Sequence, residues 1–132
     1  MKEKALNSLR NYEKALSKLR EFIAEPVAND RDRAGIIKAF RFTFELACKT
    51  FQKVAKDEQM EFGGPKTVIK QAFKMNYIGK KFEPHWIQML EDRNLMGHIY
   101  REDLSFIVSE RIKSSYVEAF NESLQRLKDK YE

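Results

Sequence analysis

Arg93 and His98 are the residues whose types and spacing suggest chemistry that needs no metal. They frame RNLMGH inside the stretch WIQMLEDRNLMGHIY, which runs from Trp86 to Tyr100. A histidine, with an ordinary pKa near ~6.5, can take a proton from a ribose 2′-hydroxyl or return one to a leaving oxygen. An arginine can hold the phosphate and stabilise the charge that grows on it in the transition state. RNA brings its own attacking hydroxyl, so no protein nucleophile is required. One histidine is little for both the acid and the base role. A symmetric dimer bringing two Arg93/His98 sets to one seam would remove that shortage.

The placement of Arg93 is itself unusual. At about 100° per residue, Trp86, Met89, Leu90, Arg93, Gly97 and Tyr100 fall within about 50° of one line, which puts Arg93 on the apolar side. Burying an unpaired guanidinium is costly, so the side chain must snorkel outward, pair with Asp92, Glu91 or Glu45, or serve a ligand. Asn94 and His98 share a second line, and a helix ending at Gly97 would free His98 to approach Arg93. His85, in a first helical turn beside Pro84, reads as a surface histidine. No histidine pair at helical spacing suggests a metal site, and Gly63-Gly64-Pro65 is a turn, not a phosphate-cradling loop. Neither a metal nor a cofactor is expected.

Five helices would have to position these residues. Ala5, Leu9, Tyr12, Leu16, Leu19 and Ile23 recur at steps of three and four, predicting a first helix over roughly 2–24. Pro26 ends it, and Asn29 and Asp30 are candidate N-caps for a second helix over roughly 30–58. Phe42 and Leu46 widen that helix's stripe, which predicts a central element with neighbours on two sides. Pro65 opens a short third helix over roughly 65–76. A fourth begins near Pro84, and a fifth runs over roughly 103–130 with an unbroken apolar seam that includes Val108, Ile112, Tyr116 and Phe120, and with dipole-matched charges at its ends. The expected fold is all-α, an antiparallel up-and-down bundle of about five helices forming one domain over residues 1–132.

Composition agrees with that fold class and limits the partners. The chain has 132 residues, 42% of them hydrophobic, with only five Gly and three Pro for the turns of a β fold. A single cysteine, Cys48, excludes an internal disulfide and suits a reducing, cytoplasmic setting. No apolar run approaches the ~20 residues needed to span a bilayer, so no membrane partner is expected. The net charge of +5 permits a polyanion without demanding one. Lys66, Lys70 and Lys74 lie four apart on the third helix, either as a solvated face or as contacts for the phosphates of RNA or a nucleotide.

Arg93-Asn94-Leu95-Met96-Gly97-His98, with Tyr100, matches the Arg-x4-His-x-Tyr motif of HepT-type members of the HEPN superfamily. RDRAGIIKAFRFTFELACKTF, GGPKTVIKQAFKMNYI and WIQMLEDRNLMGHIY resemble, in order, blocks of the nucleotidyltransferase substrate-binding protein family. With the flanking helices they cover nearly the whole chain. The pattern departs at Cys48, where many relatives carry tryptophan, a change expected to alter packing more than chemistry. The resemblance implies a helical, usually dimeric protein encoded beside a minimal nucleotidyltransferase, with a heterotetramer as a further assembly. It also implies roles: Arg93 to bind and stabilise phosphate, His98 as acid/base, Asn94 to orient or bind, and Tyr100 as the hydroxyl that accepts AMP.

Two functions follow from this. In one, the protein is a metal-independent endoribonuclease silenced by its partner, as in toxin–antitoxin pairs. In the other, it is a noncatalytic subunit that presents substrate or nucleotide to the nucleotidyltransferase. A generic DNA-binding domain is disfavoured, because the third helix lacks a good set of base-reading side chains.

Overall fold

The computed structural model describes residues 2–61, 63–96 and 101–131. Its elements are α1 (Lys2–Ala24), α2 (Asp30–Asp57), α3 (Pro65–Lys74), α4 (Glu83–Met96), α5 (Glu102–Arg111), a π turn (Ile112–Tyr116) and α6 (Val117–Tyr131). The last three run on without a break, so the molecule is a bundle of five helical rods, and no strand occurs among the described residues.

Local signals set the helix ends. Asn29 caps α2, its side-chain Oδ1 accepting from the Asp32 N–H at 3.0 Å. The Asp32 carboxylate reaches back to the Ala28 N–H at 2.8 Å, so two donors at this end are satisfied reciprocally. Pro65 occupies the first turn of α3, where its missing N–H costs nothing.

Helix α2 is the central rod and packs against α1, α3 and α5. The predicted α1 stripe is the one that is buried: Ala5, Leu9, Tyr12, Leu16 and Leu19 all lie in the core, with Ile23 at its margin. The Tyr12 hydroxyl donates to the Phe120 carbonyl at 2.8 Å, and the Ser8 and Thr50 hydroxyls meet at 2.9 Å. These bonds satisfy polar groups that burial would otherwise leave costly, and they tie α1 to α6 and α2. One expectation for α2 fails. Leu46 is half-buried, but Phe42 is 62% exposed and does not widen the buried stripe.

Trp86 occupies the middle of the core at 0% exposure, with its ring 5.3 Å from that of Phe51, 5.4 Å from Phe120 and 6.1 Å from Phe44. It is the anchor of α4, and α4 carries the residues of interest. The loop that leads into α4 is held from α6. The Gly79 N–H donates to Glu122 Oε1 at 3.0 Å, Glu122 pairs with Arg126, and Arg126 donates to the Asn76 carbonyl at 3.0 Å. A Cβ at position 79 would collide with the Glu122 carboxylate. That carboxylate can swing away, but only by leaving the buried Gly79 N–H unpaired. Gly79→Ala is therefore expected to cost about 1–2 kcal/mol, read as a lower urea midpoint with an unchanged m-value. A midpoint equal to wild type would show that the loop adjusts freely.

Candidate functional site

Helix α4 presents two adjacent charged residues to two different neighbours. Asp92 points into the protein and is 3% exposed, the only charged side chain buried among the described residues. Arg111 Nη1 donates to its Oδ1 at 2.8 Å, and the Tyr116 hydroxyl donates to its Oδ2. Both oxygens of the carboxylate are thus engaged, which is what makes a buried charge tolerable. Burial, and then the bond to Asp92, push the Tyr116 phenol well above its ordinary range, so it remains a proton donor in this pair.

Arg93 turns the other way. Its Nη2 donates to Glu45 Oε1 at 3.0 Å, and its Nη1 to Asn94 Oδ1 at 3.2 Å. The side chain is 31% exposed, so it lies at the edge of the core against α2, not in the middle of an apolar stripe. Of its three candidate carboxylates, Glu45 is the one Arg93 uses; Asp92 belongs to Arg111 and Tyr116. The wheel misplaces the charge by one residue because the buried face of α4 is centred near Met89 and reaches round to Asp92, not along the line through Trp86 and Leu90. Trp86, Met89 and Asp92 are buried, while Leu90 is only half-buried.

A guanidinium has five N–H donors. Glu45 and Asn94 occupy two of those on Arg93, which leaves donors for a phosphate at this exposed edge. Asn94 is itself exposed and lies beside the guanidinium, where it could touch the same ligand. Helix α4 extends through Met96. Gly97, His98 and Tyr100 lie outside the described residues.

Lys66, Lys70 and Lys74 are all exposed along α3, which packs on α2 and α4. No described bond joins them to Arg93. His85 is half-buried, with its ring 5.5 Å from Phe82, so it is less of a surface residue than expected. Among the described residues no group of His, Cys, Asp or Glu could hold a metal ion, and no described helix is long and apolar enough to cross a membrane.

Cys48 is buried one turn along α2 from Glu45. Burial pushes its thiol up to about 12, against the opposing pull of the Arg93 charge. A thiol so protonated and enclosed is a poor nucleophile. In the folded protein Cys48 is expected to resist a disulfide reagent at pH 8 for hours and to react fully in denaturant. Stoichiometric labelling of the native protein within minutes would contradict this placement.

The Asp92–Arg111–Tyr116 network escapes sequence reading, in which Tyr116 is simply part of an apolar seam. Its only trace in the sequence is the spacing 108, 112, 116, 120 in that seam. A regular α-helix rotates such a stripe by about 120° over three steps of four, yet Val108, Ile112, Tyr116 and Phe120 are all buried.

Fold and site together define an all-α bundle with a charged pair on its fourth rod, one member buried as a brace and the other held at the surface. The chain belongs to the nucleotidyltransferase substrate binding protein like family, whose model matches residues 7–129. A solved structure of a Thermus thermophilus protein shares the fold at a TM-score of 0.79 and 29% identity, covering 88% of this chain and 98% of that one. A chain from the structure of tri-AMPylated Shewanella oneidensis HEPN toxin in complex with MNT antitoxin also has a TM-score of 0.79. It covers 95% of this chain and 96% of that one at 12% identity, a likeness of fold. No curated protein matched by sequence.

Proposed function

We propose that this protein is the helical partner of a minimal nucleotidyltransferase in a toxin–antitoxin-like pair, and that it is a metal-independent endoribonuclease acting through Arg93 and His98. The observation that carries the reading is the pose of Arg93, a half-buried guanidinium steered to an exposed edge with donors to spare. Family membership and the fold shared with a HEPN toxin solved in complex with MNT antitoxin support the pairing.

In this mechanism Arg93 clamps the scissile phosphate, with Asn94 beside it. His98 takes the proton of the 2′-hydroxyl as that oxygen attacks phosphorus. The P–O5′ bond breaks, and the 5′-oxygen leaves with a proton from the second histidine of a dimer. The products are a 2′,3′-cyclic phosphate and a 5′-hydroxyl, so no water or metal enters the cleavage step. Lys66, Lys70 and Lys74 would steer the RNA by its phosphates.

Apolar surface beside the site supports the dimer. Phe42 and Phe22, 62% and 41% exposed, line one cleft of about 440 Å³ that also includes Glu45, the residue gripped by Arg93. A second copy covering that cleft would bury both rings and bring two sites to one seam.

Two experiments test the reading. Purified protein should cut RNA in EDTA, and His98→Ala should not; intact RNA with the wild type would leave only the substrate-binding role. After incubation with the nucleotidyltransferase and ATP, intact mass should rise by AMP, and Tyr100→Phe should abolish the gain. An adduct that persists in Tyr100→Phe would remove that tyrosine from the scheme.

A further inference from the structure

We infer that Asp92 is the positioning residue for Arg93, and that the π turn at Ile112–Tyr116 is the device by which the fold grips it. In a regular α-helix, residues five apart point about 140° away from each other. Arg111 and Tyr116 are five apart, yet both reach the one Asp92 carboxylate. The π turn between them makes this possible, because its wider i→i+5 turn brings such residues nearly into line. The helix gives up regular bonding at the place where it holds α4.

What this grip controls follows from the chain. Asp92 and Arg93 are consecutive, so once the Asp92 side chain is fixed, Arg93 must leave α4 about 100° further round. That direction leads to α2 and to Glu45 at 3.0 Å. The two adjacent side chains hold this turn of α4 from two directions, one against the π turn and one against α2. Met96, three residues on, is the last described residue of the helix. Without the carboxylate grip, the end of α4 could roll, and the guanidinium would lose its aim. A misplacement of about 1 Å in such a group can cost ~10²-fold in rate.

This role rests on the ribonuclease reading for its effect on rate, but the aim of Arg93 can be measured separately. The Nε–Hε NMR signal of Arg93, assigned by its loss in Arg93→Ala, reports the pose of the guanidinium. In Tyr116→Phe, which removes one oxygen, and in Asp92→Asn, which keeps the shape of the side chain, that signal should shift and broaden while cooperative unfolding is retained. On RNA, kcat should fall about tenfold with KM little changed, the pattern of a lost transition-state interaction. An Arg93 signal that stays in place in both variants overturns the inference, whatever the rates. If the wild type leaves RNA intact, the ribonuclease reading fails, and the Arg93 signal alone still decides whether Asp92 positions it.

Discussion

Replacing Trp86 with alanine is expected to lower the stability of the fold by about 4 kcal/mol. The indole is wholly enclosed by Phe44, Phe51 and Phe120, from α2 and α6, so truncation leaves a large cavity with rigid aromatic walls. Native domains have only about 5–15 kcal/mol in hand. The variant should therefore melt roughly 15 °C lower, or fail to accumulate. Trp86→Phe is the control. The indole N–H finds no partner among the described residues, so phenylalanine strands no acceptor and loses only volume, at about 1–2 kcal/mol. Urea titration of both variants checks the pair. An alanine variant within about 1 kcal/mol of wild type would mean that Trp86 does not anchor α4.

Arg93→Ala should behave in the opposite way, with a small effect on stability and a large one on activity. Its ion pair with Glu45 is solvent-accessible on both sides, the side chains being 31% and 50% exposed. Such pairs are worth about 0–1 kcal/mol, because water screens the attraction and ordering two long side chains costs entropy. The melting temperature should thus move by only a few degrees. Removing a group that stabilises charge in a transition state costs ~10²–10³ in rate. Because the fold survives, a lost rate can be assigned to chemistry. The same reasoning separates Arg93 from its neighbour: Asp92 is buried, and truncating it would orphan Arg111 and Tyr116 as well.

Strong periodicity makes most of the fold legible. The α1 stripe, the Asn29 cap and Pro65 at the first turn of α3 are all local signals, and the structure uses each of them. Two features are hidden for physical reasons. The fifth rod looks regular because a π turn adds one residue without changing which residue types a seam needs; only the drift of a four-residue repeat records it. The charge on α4 falls on the apolar side one residue late because the buried face of this helix, packed by α3, α5 and the π turn, is centred near Met89 and includes Asp92. A wheel centres the inner face on the apolar residue types, and Phe42 misleads in the same way, being apolar by type and exposed by position. Of the candidate site, the pairing of Arg93 with Glu45 is among the alternatives that sequence leaves open, whereas the brace behind it is out of reach. Arg111 and Tyr116 lie 19 and 24 residues from Asp92 along the chain, and nothing local announces their convergence.

The proposed role of Arg93 is phosphate chemistry on RNA. Its most direct measurement compares wild type and Arg93→Ala, at matched fold content and in EDTA, on an RNA and on its fully 2′-O-methylated counterpart. Wild type should cut the RNA at least ~10² times faster than the variant, leaving 2′,3′-cyclic phosphate ends, and neither protein should cut the methylated strand. Equal rates for the two proteins, or cleavage of the methylated strand, would rule out this role for Arg93.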